Sequence, residues 1–300
     1  MFAFVHHPAY VAPLPPGHRF PMDKYGLLLP ALAARGIDYA LHTPEPMPRS
    51  AVEAVHDPAY VAAVFDGTLT AEQSRRIGFP VTAAIVHRAQ CVMGGTYLAA
   101  LLALDAGFAV NSAGGSHHAL HGGGAGFCVF NDLAVAGARL LREGHVTRLM
   151  VVDLDVHQGD GTAAIFASRD DVVTFSMHAA KNFPVRKARS TLDIELPDAT
   201  GDDAYLATLA HALPALIDRH RPDLIFYQAG VDPHVDDRLG RLALSDDGLD
   251  ARDAFVVGTC RARGVPLAST LGGGYGNDVA AVAARHAGSI AAQAAAFAAV

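Results

Sequence analysis

The chain has 300 residues, 51% of them hydrophobic, and a formal net charge of −7. That apolar content can bury a large core, while the negative balance argues against polyanion binding and direct nucleic-acid contact. An acidic rim would suit a cationic substrate.

Cys91, Cys128 and Cys260 are scattered and form no C-x-x-C pair, which disfavours a disulfide framework and a thiolate zinc site and fits a reducing cytoplasm. Met1 to Tyr10 lacks the basic start and long apolar run of a signal peptide. The proline-rich stretches Pro13–Pro16 and Pro44–Pro48 read as loops. Helical stretches then follow over Pro80–Leu104, Leu133–Glu143, Asp203–His220 and Asp246–Arg263. Between them lie short apolar runs at Phe108–Asn111, Leu149–Asp155, Val172–Met177, Leu224–Ala229 and Pro266–Thr270. The alanine-rich tail Val279–Val300, interrupted by Arg285, His286 and Gln293, reads as a packed terminal helix and not a membrane span. Strands alternating with helices of this length imply βαβ units and a mainly parallel α/β sheet covered on both faces.

Polar or glycine-rich residues follow each run: Ser112–His118, Asp153–Asp160, Ser176–His178, Gly230–Asp232 and Leu271–Tyr275. Ligands of open parallel sheets bind outside the carboxyl ends of the strands. Alternation along a strand predicts that Asp153, Asp155 and His157 share one face, a grouping costly to bury without a cation. Asp155 and His157 supply two metal ligands, and Asp232 in Gln-Ala-Gly-Val-Asp is the best-placed third. That set of one nitrogen and two carboxylates suits Zn2+, with Fe2+ or Co2+ admitted by ligand type.

Gly114-Gly115-Ser116-His117-His118 offers a general base and acid, and Asp153 and Asp160 are the spare carboxylates available to fix the imidazole tautomers. Tyr275, after three glycines, can donate to a developing oxyanion. Phe130 reads as core. No G-x-G-x-x-G opens a helix after a first strand and no Walker A sequence occurs, so a nucleotide reading fails.

In order, NSAGGSHHA, GAGFCVFND, VVDLDVHQGDGT, FSMH, QAGVDPHVDDRLGRLALS and LGGGYG resemble the histone deacetylase and acetylpolyamine amidohydrolase family, of arginase–deacetylase fold. The wording is most similar to the class IV branch and its bacterial relatives, with a short segment after Phe183 where a class I tunnel wall is longer. The resemblance implies one deacetylase-like catalytic domain over 1–300, a three-layer α/β/α fold and a sheet of about eight strands. It implies one Zn2+ on Asp155, His157 and Asp232, with His118 as base and acid oriented by Asp160. His117 paired with Asp153 is then an electrostatic neighbour, and Tyr275 polarises the scissile carbonyl. Gly126, Phe127, Phe183 and Leu239 would line the substrate tunnel. A K+ ion would sit at Asp153, Asp155, His157, Ser176 and Met177. The implied reaction is removal of an acyl group from the ε-amine of acyl-lysine in a protein or peptide. Acetylpolyamine or other small-amide hydrolysis is the alternative, and a silent acyl binder and a binuclear ureohydrolase are the rivals from further away. Lys24 and Arg19 either line an internal acetate channel or sit as surface charges. No membrane partner and a cytoplasmic location are expected.

Overall fold

The computed structural model describes residues 1–299. Its eight strands are β1 (Phe2–Val5), β2 (Tyr39–His42), β3 (Phe108–Asn111), β4 (Leu149–Asp153), β5 (Val172–Ala179), β6 (Leu192–Leu196), β7 (Leu224–Gln228) and β8 (Leu267–Thr270). They form one sheet in the order β2-β1-β3-β8-β7-β4-β5-β6, with every pairing parallel. Every residue of β3, β4, β5, β7 and β8 is buried, as an all-parallel sheet clothed on both faces requires.

The longer helices fall into two packed groups. Helices α5 (Ala83–Ala106) and α6 (Asp132–Glu143) pack on each other. Helices α8 (Asp202–His220), α9 (Asp246–Ala262) and α10 (Val279–Ala298) pack in series with α1 (Lys24–Ala34). By length and composition α5 could cross a membrane, but more than half of its most apolar window is buried against protein. The remaining helices, α2 (Arg49–Glu53), α3 (Pro58–Phe65), α4 (Ala71–Ile77) and α7 (Asp160–Ile165), are short.

Chain direction across the sheet reverses between β4 and β7. The chain leaves β4 toward β5 and β6 on one side, and leaves β7 toward β8 on the other. This is the switch point at which open α/β sheets hold ligands. The register aligns Asn111, Thr270, Gln228, Asp153 and Ser176 in a single row across five strands, the first four of these being the last residues of their strands.

Some expectations need correction. Strand β4 stops at Asp153, so Asp155 and His157 do not continue its alternation. Instead, each carboxylate captures the amide two residues on: Asp155 N–H donates to Asp153 Oδ1 at 3.2 Å, and His157 N–H to Asp155 Oδ1 at 3.0 Å. Strand β5 runs on to Ala179, two residues past the end expected at Met177, so Ser176–His178 lie within the strand and do not end it. Helix α5 begins at Ala83, capped by the Thr82 hydroxyl, and ends at Gly107 in the left-handed region. The tail helix ends at Ala298, and Val300 lies outside the described residues. Phe130 is core, as expected.

Candidate metal centre and active site

The loops after β4 and β7 bring Asp155, His157 and Asp232 together, with one ligand atom of each within 4.8 Å of the others and all three residues buried. His157 Nδ1 lies 3.0 Å from Asp155 Oδ1 and 3.2 Å from Asp232 Oδ2. The outer oxygens are already committed. Asp155 Oδ2 accepts from Gln228 Nε2 and from Gly273 N–H, both at 2.8 Å, and Asp232 Oδ1 accepts from Val156 N–H at 2.9 Å. Apart from its contact with His157, Asp232 Oδ2 is buried without a hydrogen-bond partner.

The electrostatics favour positive charge here. Burial disfavours charge on His157, but hydrogen bonds to Asp155 and Asp232 overcome it and hold the imidazolium up to about 10. Burial, then the adjacent Asp155 charge, push Asp232 up to about 7. Two buried carboxylates and a ring nitrogen, with one oxygen left over, fit a divalent ion of borderline softness such as zinc. Gly273 permits the arrangement, since a Cβ there would sit 2.0 Å from Asp232 Oδ2.

His117 and His118 stand beside this cluster with ring centroids 4.1 Å apart. His117 Nδ1 meets Asp153 Oδ2 at 2.7 Å, and His118 Nδ1 meets Asp160 Oδ1 at 2.7 Å, the pairing expected of two tautomer-fixing carboxylates. Their environments diverge. Burial opposes charge on His117, but Asp153 and Asp155 outweigh it and hold the ring protonated to about 9. Burial, reinforced by the charge on His117, drops His118 to about 4 despite Asp160.

A cavity of about 380 Å³ reaches His118, His157 and Tyr275 from the surface, and Gly126, Phe127, Phe183 and Leu239 all line it. Phe183 is 44% exposed, and its ring stands edge-on 4.8 Å from that of His118. Gly126 has φ +53°, and a Cβ there would meet the His118 ring at 2.6 Å. Burial, then Asp155 and Asp232, hold the Tyr275 phenol well above its usual range, so it remains a donor. Ser176 lies opposite Asp153 in register, with Met177 next along β5. Lys24 is buried and donates to Gly272 O at 3.0 Å, beneath the Tyr275 loop, whereas Arg19 is exposed at the cavity mouth with its guanidinium 5.2 Å from the Phe127 ring.

The histone deacetylase domain family model matches residues 18–291. This chain belongs to the histone deacetylase family. It is 49% identical over 287 residues to an uncharacterized protein of Picosynechococcus sp., covering 95% of this chain and 96% of that one. It is 31% identical over 269 residues to histone deacetylase 2 of Arabidopsis thaliana, covering 86% of this chain and 70% of the relative. The crystal structure of the HDA15 HD domain superposes with a TM-score of 0.81 at 19% identity, covering 97% of this chain and 90% of that one, a likeness of fold. Family and fold together make this chain a deacetylase-family hydrolase with an arginase–deacetylase sheet.

Sequence reasoning missed the groups that hold the loops in place. Asp132, at the start of α6, accepts from Gly115 N–H at 3.1 Å and Ser116 N–H at 2.6 Å, fixing the deacetylase-type His-His loop. Asp237 accepts from Tyr275 N–H at 2.6 Å and Leu239 N–H at 2.8 Å. Asn182 Nδ2 approaches His157 Nε2 at 3.2 Å and donates to Leu239 O at 2.6 Å. Asp132 and Asp237 stand inside quoted motifs and Asn182 immediately precedes Phe183, yet a helix-start or loop acid carries no mark of its partner.

The mouth carries charge opposite in sign to the chain as a whole. Arg19, Arg75, Arg76, Lys181 and Arg241 line the cavity, and no Asp or Glu does.

Proposed function

We propose that the chain is a zinc-dependent deacylase that hydrolyses the amide of an acylated lysine ε-amine, acting as one catalytic domain over residues 1–300. The observation that carries the reading is the convergence of Asp155, His157 and Asp232 beside a cavity that is lined by His157 together with His118 and Tyr275. A zinc ion held by those three residues supplies Lewis acidity toward a carbonyl and a nucleophilic water at neutral pH.

The protein's own groups do the rest. His118, its Nδ1 committed to Asp160, keeps Nε2 available to take a proton from water and return it to the departing amine. His117, held cationic by Asp153, adds positive charge beside the reacting carbonyl. Tyr275 donates its hydroxyl to the oxygen that gains negative charge. Gly126, Phe127, Phe183 and Leu239 seat the aliphatic arm and exclude water from it. The same reading assigns a potassium ion to Asp153, Asp155, His157, Ser176 and Met177, supported by the Asp153–Ser176 register.

The test is acyl release by the zinc-loaded protein from acetyl- and longer-acyl-lysine peptides beside acetylated polyamines, with a chelator and Tyr275→Phe as controls. Turnover of lysine peptides, abolished by chelation and reduced about 10²–10³-fold in kcat by Tyr275→Phe with zinc still bound, is expected. Turnover of polyamines alone keeps the chemistry and replaces the substrate. Undiminished turnover by Tyr275→Phe sinks the role given to the phenol.

A further inference from the structure

The chain has 30 acidic and 23 basic residues, so an average patch of its surface should hold more acids than bases. The cavity mouth reverses this. Its lining carries Arg19, Arg75, Arg76, Lys181 and Arg241 and no carboxylate side chain, and all five cations are exposed. They come from separate parts of the chain: the loop before α1, the last turn of α4, the loop after β5 and the segment after Gly240.

Local duties account for only part of this charge. Arg75 and Arg76 complement the dipole at the end of α4, but a helix end does not bring in the other three. Asp198 serves both Lys181 at 3.6 Å and Arg241 at 3.3 Å, one carboxylate against two cations. Among the described residues, no carboxylate lies within 4 Å of the guanidinium of Arg19, Arg75 or Arg76. The excess continues into the adjoining depression, where Arg186 and Lys187 join Arg76 against one carboxylate, Asp160, which is already bonded to His118. Lys187 Nζ is tied there to the carbonyls of Asn182 and Pro184.

Like charges gathered around a concave opening focus their field into it, raising the local concentration of anions and repelling cations. We infer that this mouth selects anionic substrates, and that the acyl-lysine it admits lies in a carboxylate-rich peptide segment. The inference rests on the deacylase reading for the chemistry and on the placement of cations for the choice of substrate. It also sets the site against polyamines, whose remaining ammonium groups would face the same cations.

The test compares acetyl-lysine peptides flanked by aspartates, by glycines or by lysines. For each, kcat/KM is measured on the zinc-loaded protein, and binding of the same fluorescent peptides is followed by anisotropy. At about 20 mM salt the aspartate-flanked peptide should exceed the lysine-flanked one roughly ten-fold or more, and the ratio should fall toward one near 1 M salt. Arg75→Glu combined with Arg76→Glu should reverse the preference. Lys181→Glu repeats the test on a different loop, leaving α4 untouched. Equal kcat/KM for the three peptides, or a preference indifferent to salt, overturns the charge selection and leaves the deacylase reading standing. Absence of turnover for all three and for their longer-acyl counterparts sinks the deacylase reading, and the anisotropy series then judges the selection alone. Tighter binding of a short RNA than of the aspartate-flanked peptide overturns the peptide assignment.

Discussion

Arg252 offers a stringent test of how the site is held. It lies on α9 and is fully buried, yet it spends its guanidinium on the two loops that carry the metal ligands. Nη1 donates to Gly230 O at 2.7 Å and to Leu154 O at 3.2 Å, and Nε donates to Asp253 Oδ1 at 2.8 Å. Gly230 lies two residues before Asp232, and Leu154 separates Asp153 from Asp155. Replacing Arg252 with Met keeps an unbranched chain but leaves two loop carbonyls and the Asp253 charge without that donor. Breaking a buried charge pair costs about 3–5 kcal/mol. Arg252 Nη2 and Asp253 Oδ2 have no hydrogen-bond partner in the structure, so the lower figure, about 3 kcal/mol, applies. For a chain of this size that corresponds to a fall in Tm of about 5 °C. Thermal unfolding by circular dichroism measures it, and competition with a chelator should show zinc affinity reduced about ten-fold or more. Adding Asp253→Asn should recover part of the loss, since the uncompensated charge goes with it. A fall below about 2 °C with unchanged zinc affinity would refute the idea that Arg252 braces the two ligand loops.

Asp232→Ala removes the oxygen that has no other partner, and metal analysis of the purified protein should find zinc lost; full occupancy would exclude Asp232 as a ligand. Asp160→Asn leaves the three ligands in place but takes the charge from His118, so kcat should fall about 10²-fold or more with zinc content unchanged; an unaltered kcat would remove Asp160 from the mechanism. His56 gives a pH dependence away from the metal. Its Nδ1–H donates to Leu120 O at 2.9 Å and its Nε2 accepts from Asn131 N–H at 3.0 Å, so only the neutral ring fits. Burial lowers it from 6.5 to about 4. The unfolded chain therefore binds the proton first. Stability from this residue is intact above pH 6.5 and is lost as pH falls toward 4, by about 3 kcal/mol in all. Urea midpoints at pH 7.5 and 4.5 should show the loss, and His56→Gln should reduce it; an unchanged slope in that variant would assign the effect elsewhere.

The candidate metal ligands and the paired histidines were legible in the sequence because a buried charge must have a partner. Asp155, His157 and Asp232 each follow an apolar run that can only be a covered strand, and covered strands of a parallel sheet deliver their ends to one edge. The route to that answer was partly wrong, since β4 ends at Asp153 and side-chain capture of backbone amides, not strand alternation, turns Asp155 and His157 together. Strands β2 and β6 were not legible from pattern because they are edge strands, only partly buried and mixed in polarity. Strand β1, at four residues, is too short for periodicity to distinguish.

The sequence by itself determined the layered parallel fold and marked Asp155, His157 and Asp232 as a candidate metal group, because a buried charge allows few alternatives. The two His–Asp pairs and the aromatic cavity lining followed from its likeness to the histone deacetylase family. Only the tertiary structure decided what braces those residues and what surrounds the entrance. Arg252, Asp132 and Asp237 act on loops far from them in sequence, and a charged residue read alone does not disclose its partner. Net charge is a sum without positions. A chain carrying −7 overall lines its cavity mouth with five cations and no carboxylate side chain, because folding set segments from four regions of the chain side by side there.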